Sequence, residues 1–387
     1  MNSQEKKIEA RTALFVYIPY CPTICTYCDF NVYARREGEF EAYINAVTRE
    51  IELVAEHIPN PRLAKTLAFG GGTPSILTAS SIEMIVNAVR ERFEFPPNAE
   101  WTLEANPGTV NLEKLRAFHE MGFTRLSLGV QTFDDARLRA FNRNHTTAES
   151  YDAFALARRA GFGNLNLDLI YGLPDQTLEE WCITLDRALA LQSEHLSLYG
   201  LQVEDGTILK KQIEQGRVHS PNSELAAEMY ELAVEKLASA GFVHYEISNW
   251  ARLGFESQHN KTYWLNEPYL GFGAGAHSSW QGTRYENVKH PREYIRRLEV
   301  RNSPIAAREE ILREMQMSET IFLGLRLAEG VSWARFHERF AVDAREVYRE
   351  PIALLKGSGL LQTDDMRMWL TESGMLVSNQ ILWRFLP

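Results

Sequence analysis

A chain of 387 residues is too long for one average domain and short for three, so one large unit with a smaller one attached is expected. Hydrophobic residues make up 45% and charged residues 24%, near the globular averages and far from the disordered class. A formal net charge of −10 gives no overall field for phosphate backbones, although KHPREYIRRLEVR at 289–301 is locally basic, so nucleic acid is not an expected partner.

The opening segment MNSQEKKIEARTAL has lysines but no apolar run of signal length after them. Nowhere do about 18 apolar residues follow one another. These features predict a soluble cytoplasmic protein with no integral membrane segment.

From residue 14 to about 247, short β-rich runs alternate with helical patterns, as in βα units around a parallel sheet. Six strands are predicted at 13–18, 66–70, 101–105, 124–130, 164–172 and 195–201. Helical stretches fall near 39–57, 80–93, 112–120, 135–160 and 177–191. The expected fold is therefore α/β, a partial (β/α)6 TIM-like barrel. Residues 222–241 form an amphipathic helical pattern, and 242–288 are rich in glycine and aromatics and suit closure of the barrel mouth. Beyond about 303, helical patterns at 307–328, 332–341 and 343–358 precede LLQTDD, MRMWLT and QILWRFL. They predict a small C-terminal helical domain carrying a β-hairpin. The implied division is 1–247 for the barrel, 248–302 for the closing segment and 303–387 for the C-terminal domain.

Residues two apart in a strand share a face. Thr102 and Glu104 oppose Trp101 and Leu103, while Ser127, Gly129 and Gln131 oppose Leu126, Leu128 and Val130. Asn164, Asn166 and Asp168 oppose Leu165, Leu167 and Leu169. The apolar faces would pack on outer helices. An ordinary barrel fills its interior with branched apolar side chains, so a polar inner face ending in Glu104, Gln131 and Asp168 points to a polar ligand inside.

Three of the four cysteines fall within eight positions, in Cys21-Pro-Thr-Ile-Cys25-Thr-Tyr-Cys28 just after the first strand. Three thiolates spaced C-x3-C-x2-C can wrap one soft metal centre and leave a coordination position open, as in a [4Fe-4S] cluster with one free iron. The alternative is a zinc site, which normally needs four protein ligands, and the nearest downstream histidine is His57. Cys182, inside LEEWCITLDRAL, reads as an ordinary buried helix residue.

The cysteine spacing, with an aromatic before the last cysteine, resembles the radical S-adenosylmethionine (SAM) superfamily. YIPYCPTICTYCDF, FGGGTPS, LEANPGT, LGVQTF, NRNH and LDLIYGLP are similar, in the same order, to the branch containing oxygen-independent coproporphyrinogen III oxidase and the HemW-type haem chaperones. That resemblance implies Gly71, Gly72, Thr73, Glu104, Gln131, Arg143 and Asp168 as SAM contacts. Phe15 occupies a position where the family often has tyrosine. Without the family, Gly70-Gly71-Gly72 also reads as a tight turn, and the carboxylates as helix caps or solvated loop charge.

Between the two relatives, Cys28-Asp29-Phe30 lacks the further cysteine typical of the oxidase, and only 20 residues precede Cys21. SQHNKTYW at 257–264 matches the H-N-x-x-Y-W motif associated with the chaperones. His259, Tyr263 and Trp264 are then implied haem contacts, with His277 in GFGAGAHSSW a weaker candidate. Read alone, His259 among aromatics is a hydrogen-bonded loop residue. Met315, Met317, Phe322 and Trp333 read as packed helical core. The resemblance implies a haem chaperone that binds haem, SAM and a [4Fe-4S] cluster, delivers haem to an acceptor protein and draws electrons from a flavodoxin or ferredoxin. Catalysis on a tetrapyrrole, including coproporphyrinogen III oxidation, is the alternative.

Overall fold

Each predicted run of alternating apolar residues forms a strand. In the computed structural model, which describes residues 11–59 and 62–387, these are β1 (Thr12–Ile18), β2 (Ala64–Gly71), β3 (Glu100–Ala105), β4 (Arg125–Gln131), β5 (Asn164–Tyr171) and β6 (His195–Gly200). Residues 1–10, read above as lacking a signal run, lie outside the described residues. The six strands pair in parallel, each with the next in the chain. Their leucine faces point outward, and Leu103, Leu126, Leu128, Leu165, Leu167 and Leu169 are fully buried in the main core.

Outer helices cover that layer: α1 (Phe40–Glu56), α2 (Ala79–Arg92), α3 (Leu112–Glu120), α4 (Asp135–Ala140), α5 (Thr147–Ala160) and α6 (Leu178–Ala190). Capping boxes start two of them, Thr146 with Glu149 on α5 and Thr177 with Glu180 on α6, each satisfying amide donors that the first turn leaves free. The single helix expected over 135–160 is two helices. Asn142 adopts a left-handed conformation (φ 56°) and turns the chain between α4 and α5.

Two further helices, α7 (Ile208–Glu214) and α8 (Ser223–Ser239), follow β6. Next, β7 (Val243–Glu246) and β8 (Asn249–Ala251) extend the sheet antiparallel beyond β6. The short helix α9 (Gln258–Trp264) precedes β9 (Tyr269–Phe272), which pairs in parallel with the other edge of the barrel at β1. From β9 the sheet continues antiparallel through β10 (His277–Trp280), β11 (Thr283–Asn287) and β12 (Ile305–Glu310), with α10 (Pro291–Glu299) between the last two. The full order is β12-β11-β10-β9-β1-β2-β3-β4-β5-β6-β8-β7, an open, partial barrel. Residues 307–310, expected as helix, belong to β12, because that edge pairs with β11 from Thr283 to Asn287.

A second core forms after β12 around Ile321, Trp333, Phe336, Met368 and Phe385. It combines α11 (Arg313–Gly324), α12 (Trp333–Phe340), α13 (Ala344–Val347) and α14 (Arg349–Gly357) with a three-stranded sheet, β13 (Val331–Ser332), β14 (Leu361–Thr363) and β15 (Arg367–Leu370). Met317 and Phe322 pack against this core, as their spacing predicted. It joins the barrel through backbone hydrogen bonds from Ile247 N to Arg326 O (3.1 Å) and from Ala328 N to Tyr245 O (2.9 Å). No described helix is long and apolar enough to cross a membrane.

One charged residue sits on the apolar face of α1. Glu50 is 3% exposed, and its carboxylate accepts from Gly273 N (2.8 Å), Tyr294 Oη (2.5 Å) and Asn287 Nδ2 (2.6 Å). Burial pushes its pKa up to about 7 despite these donors. The carboxylate thus pins the turn after β9 and helix α10 to α1. Glu50→Ala strands three buried donors, and thermal unfolding should show a loss of about 3 kcal/mol or more.

Candidate cofactor site

The carboxyl ends of β1–β6 open on a cavity of about 540 Å3. Parallel-sheet proteins bind ligands at this end because the connecting loops and helix N-termini converge there. Cys21, Cys25 and Cys28 line it from the loop after β1, and all three are free and half-buried. The loop is held by distant backbone: Thr26 N donates to Phe141 O (3.2 Å), Leu209 N to Thr26 O (2.7 Å), and Asn142 Nδ2 to Ile24 O (2.8 Å). The left-handed turn at Asn142 therefore carries the anchor of the cysteine loop.

Burial pushes the Cys21 thiol up and the Cys28 thiol up to about 11. Both stay protonated at neutral pH until a metal displaces the proton. Thr73 Oγ1 lies 3.4 Å from Cys21 Sγ, and an Nη of Arg143 lies 3.3 Å from Cys25 Sγ. Among the described residues no three His, Cys, Asp or Glu side chains are arranged to hold a single metal ion.

Opposite the cysteines, β2 ends in glycines where a side chain would collide with its neighbours. Gly71 has φ 103°, and a Cβ there would lie 2.8 Å from the Tyr17 ring; a Cβ on Gly72 would lie 2.7 Å from Tyr20 O. The backbone there thus comes close against the cavity wall, with Gly72 N and Thr73 N donating to Ile18 O and Tyr20 O (both 2.8 Å). Gly71 N donates to Glu104 Oε2 at 3.3 Å.

Glu104 and Asp168 reach the cavity from β3 and β5. Burial, and then the neighbouring Asp168 charge, push the Glu104 pKa up to about 8. Burial also raises Asp168, which accepts from Ser127 Oγ (2.8 Å) and Asn166 Nδ2 (2.8 Å). Neither carboxylate has an ion-pair partner among the described residues. Arg143 donates to Gly129 O (2.6 Å), while its Nε is buried without a partner. Gln131 lines the same wall in a left-handed conformation (φ 69°), at the irregularity between Gly129 and Gln131 where β4 pairs with β5.

The cavity thus offers thiols at one wall, two carboxylates without an ion-pair partner, an arginine with a spare donor, and glycine backbone close to the wall. A molecule carrying a sulfonium, an ammonium, a carboxylate and ribose hydroxyls fits that donor set. The cluster cysteines and the expected contacts Gly71, Gly72, Thr73, Glu104, Gln131, Arg143 and Asp168 all line this one cavity. Tyr27, the aromatic before the last cysteine, also lines it, as do Ile170, Tyr199 and Leu201, which were not singled out in the sequence.

Phe15 departs from expectation. It lies two residues below Tyr17 on the same face of β1, outside the cavity lining, with its ring 6.1 Å from Tyr17 and stacked 5.9 Å from His259. One strand repeat separates it from the mouth.

The histidine motif also lies elsewhere. Helix α9 packs at the opposite end of the barrel, where Glu100, the first residue of β3, accepts from Gln258 N (3.1 Å) and His259 N (3.0 Å). His259 is 3% exposed, with Nδ1 bonded to Thr66 Oγ1 (2.8 Å) and Nε2 to Tyr263 Oη (3.0 Å). Burial and then Lys65 push its pKa down to about 3. The expected free axial nitrogen is therefore engaged in this structure. The Trp264 ring is covered by the Arg326 guanidinium at 4.4 Å. His277 is exposed on β10 and lies 3.4 Å from Glu286. Cys182, expected as buried, is half-exposed and lies 3.3 Å from Lys236 Nζ.

Comparison with known proteins supplies the class. The radical SAM superfamily model matches residues 15–188, and the HemN C-terminal domain model matches 311–377. A solved structure of the coproporphyrinogen III oxidase HemN from Escherichia coli superposes with a TM-score of 0.86, covering 97% of this chain and 90% of that one, at 24% identity. Fold and site together define a radical SAM protein, whose cofactors are a [4Fe-4S] cluster and SAM. The heme chaperone HemW of Bacillus subtilis is 38% identical, covering 96% of this chain and 98% of that protein. A mitochondrial radical S-adenosyl methionine domain-containing protein 1 from Mus musculus is 34% identical, covering 97% and 88%. The chain belongs to the HemW family.

The Glu104 shift has a measurable sign. Its pKa rises from an ordinary 4.5 to about 8, so the folded chain keeps a proton that the unfolded chain has lost across that window. Stability of the ligand-free protein should fall as pH rises from about 4.5 through about 8. Glu104→Gln should flatten that fall and raise Tm at pH 9 by about 2–4 °C, measured by calorimetry.

Proposed function

We propose that this protein is a cytoplasmic haem chaperone: it binds haem, carries a [4Fe-4S] cluster with SAM, and passes haem to an acceptor protein. The observation that carries the reading is similarity over nearly the whole chain, both cores included, to proteins named heme chaperone HemW in several bacteria. Asp29 and Phe30 support it, because they stand where the oxidase typically has a further cysteine after Cys28. A reducing cytoplasm suits four free cysteines.

In this reading Cys21, Cys25 and Cys28, as thiolates, would hold the [4Fe-4S] cluster at the wall of the cavity that SAM would occupy. Bound together, cluster and SAM supply reductive cleavage of the sulfonium, with the electron coming from a flavodoxin or ferredoxin. Gly71, Gly72 and Thr73 receive the methionine end on backbone and hydroxyl, and the Arg143 fork takes its carboxylate. Glu104 and Asp168 accept from the ammonium and the ribose, and Gln131 closes the wall beside them.

Residues 11–247 serve as the barrel, 248–302 bring in the histidine motif and close the sheet against β1, and the C-terminal unit begins after β12 rather than at 303, because Ile305–Glu310 pairs with β11 in the main sheet. Haem contact through His259, Tyr263 and Trp264 requires α9 to leave the barrel floor, since both ring nitrogens of His259 are engaged there.

Anaerobic titration of cluster-reconstituted protein should bind about one haem per chain, followed by transfer when haem-free acceptor proteins are added. His259→Ala should weaken haem about tenfold or more and leave the cluster absorbance unchanged. Absence of haem binding defeats the reading. Conversion of coproporphyrinogen III by the reduced protein with SAM would replace it by the enzymatic alternative.

A further inference from the structure

The barrel interior holds a hydrogen-bonded chain that links its two ends. Asn166 Nδ2 donates to Asp168 Oδ1 (2.8 Å) and Ser127 Oγ (2.7 Å), which leaves Asn166 Oδ1 as an acceptor. It takes the Nδ1–H of His195 (2.6 Å) and the hydroxyl of Ser197 (3.1 Å). With Nδ1 donating, Nε2 of His195 is the free lone pair, and it accepts from Tyr245 Oη at 2.8 Å. Tyr245 Oη accepts in turn from Ser257 N at 3.3 Å. Ser257 is the N-cap of α9, its Oγ accepting from Asn260 N and donating to Glu100.

Every donor along this route points the same way, from the cap of α9 to the carboxylate of Asp168. His195 and Asn166 are 0% and 2% exposed, so water does not compete along it. In such a dry, single-polarity chain each bond polarises the next. A carboxylate has about four acceptor sites. Ligand hydroxyls arriving at Asp168 share those sites with Asn166 and Ser127, and weaken the pull on the chain.

We propose that Asn166, His195 and Tyr245 are positioning residues that join the SAM site at Asp168 to the cap of the helix bearing His259, so that SAM binding loosens α9. This rests on the reading of Asp168 as a SAM contact. The chain's own residues carry the inference: a ligand at the mouth alters how firmly the floor holds a helix whose histidine is otherwise fully engaged.

Hydrogen exchange of residues 257–264 in the anaerobic, cluster-reconstituted chain tests it, with SAM affinity measured in parallel by equilibrium dialysis. In the natural sequence saturating SAM should speed exchange of this segment about threefold or more. Tyr245→Phe keeps the ring but removes the hydroxyl at the middle of the chain. Its segment should exchange fast without SAM and respond to SAM less than about 1.5-fold, with SAM affinity changed less than about threefold. SAM that binds the natural chain without changing exchange at 257–264 overturns the proposal, whatever the variant does. So does a Tyr245→Phe response equal to that of the natural chain. Failure of SAM to bind at all removes the reading of Asp168 first and this proposal with it.

Discussion

Two half-buried carboxylates that share one cavity, with no ion-pair partner among the described residues, set the terms of this structure. Glu104 and Asp168 stand at the mouth of a barrel whose interior is polar, where comparable barrels are filled by branched hydrocarbon. Burial raises both pKa values, and the Asp168 charge raises Glu104 further, a destabilising arrangement for the ligand-free chain. A barrel that gives up its inner core must draw cohesion from its outer layer. The fully buried leucines of β3, β4 and β5, packed under α2, α3, α5 and α6, supply it. Inner polarity and outer hydrophobicity are two faces of one strand alternation.

The same alternation explains what could be read in advance. Period-two patterns in 101–105, 124–131 and 164–169 place Glu104, Gln131 and Asp168 inward, and they do line one cavity. The cysteine loop was legible because three ligands lie within eight positions. Features that depend on distant packing were not. Nothing near Asn142 shows that it turns left-handed, splits a helix and anchors Ile24 of the cysteine loop, 118 residues away. Residues 307–310 carry a pattern compatible with a helix until β11 offers an edge to pair with. His195 opens a strand among apolar residues, and only its contacts with Asn166 and Tyr245 identify it as an interior link.

Loop geometry at the mouth follows from local rules once the barrel is in place. Gly71 and Gly72 are required by crowding, because Tyr17 and Tyr20 O occupy the space a side chain would need. Arg143 reaches the cysteine wall because the turn at Asn142 ends beside it, bringing a permanent cation to Cys25. The NRNH segment therefore acts as one device: Asn142 holds the loop, Arg143 faces the thiol, and His145 bonds Asn106 Oδ1 at 3.1 Å across to the segment after β3.

On the proposed role of His259 as a haem ligand, its engaged state bears on how tightly haem is held. A histidine with a free nitrogen binds iron with its full intrinsic affinity. His259 must first give up Thr66 and Tyr263 and expose a ring that is now buried. Each lost hydrogen bond costs about 1 kcal/mol net, so two lower the affinity by roughly 30-fold. For a storage site that is a defect. For a protein that must release its cargo to an acceptor it is an advantage, because the broken contacts re-form as haem leaves and favour transfer. The burial that makes His259 look structural is thus compatible with a ligand meant to let go.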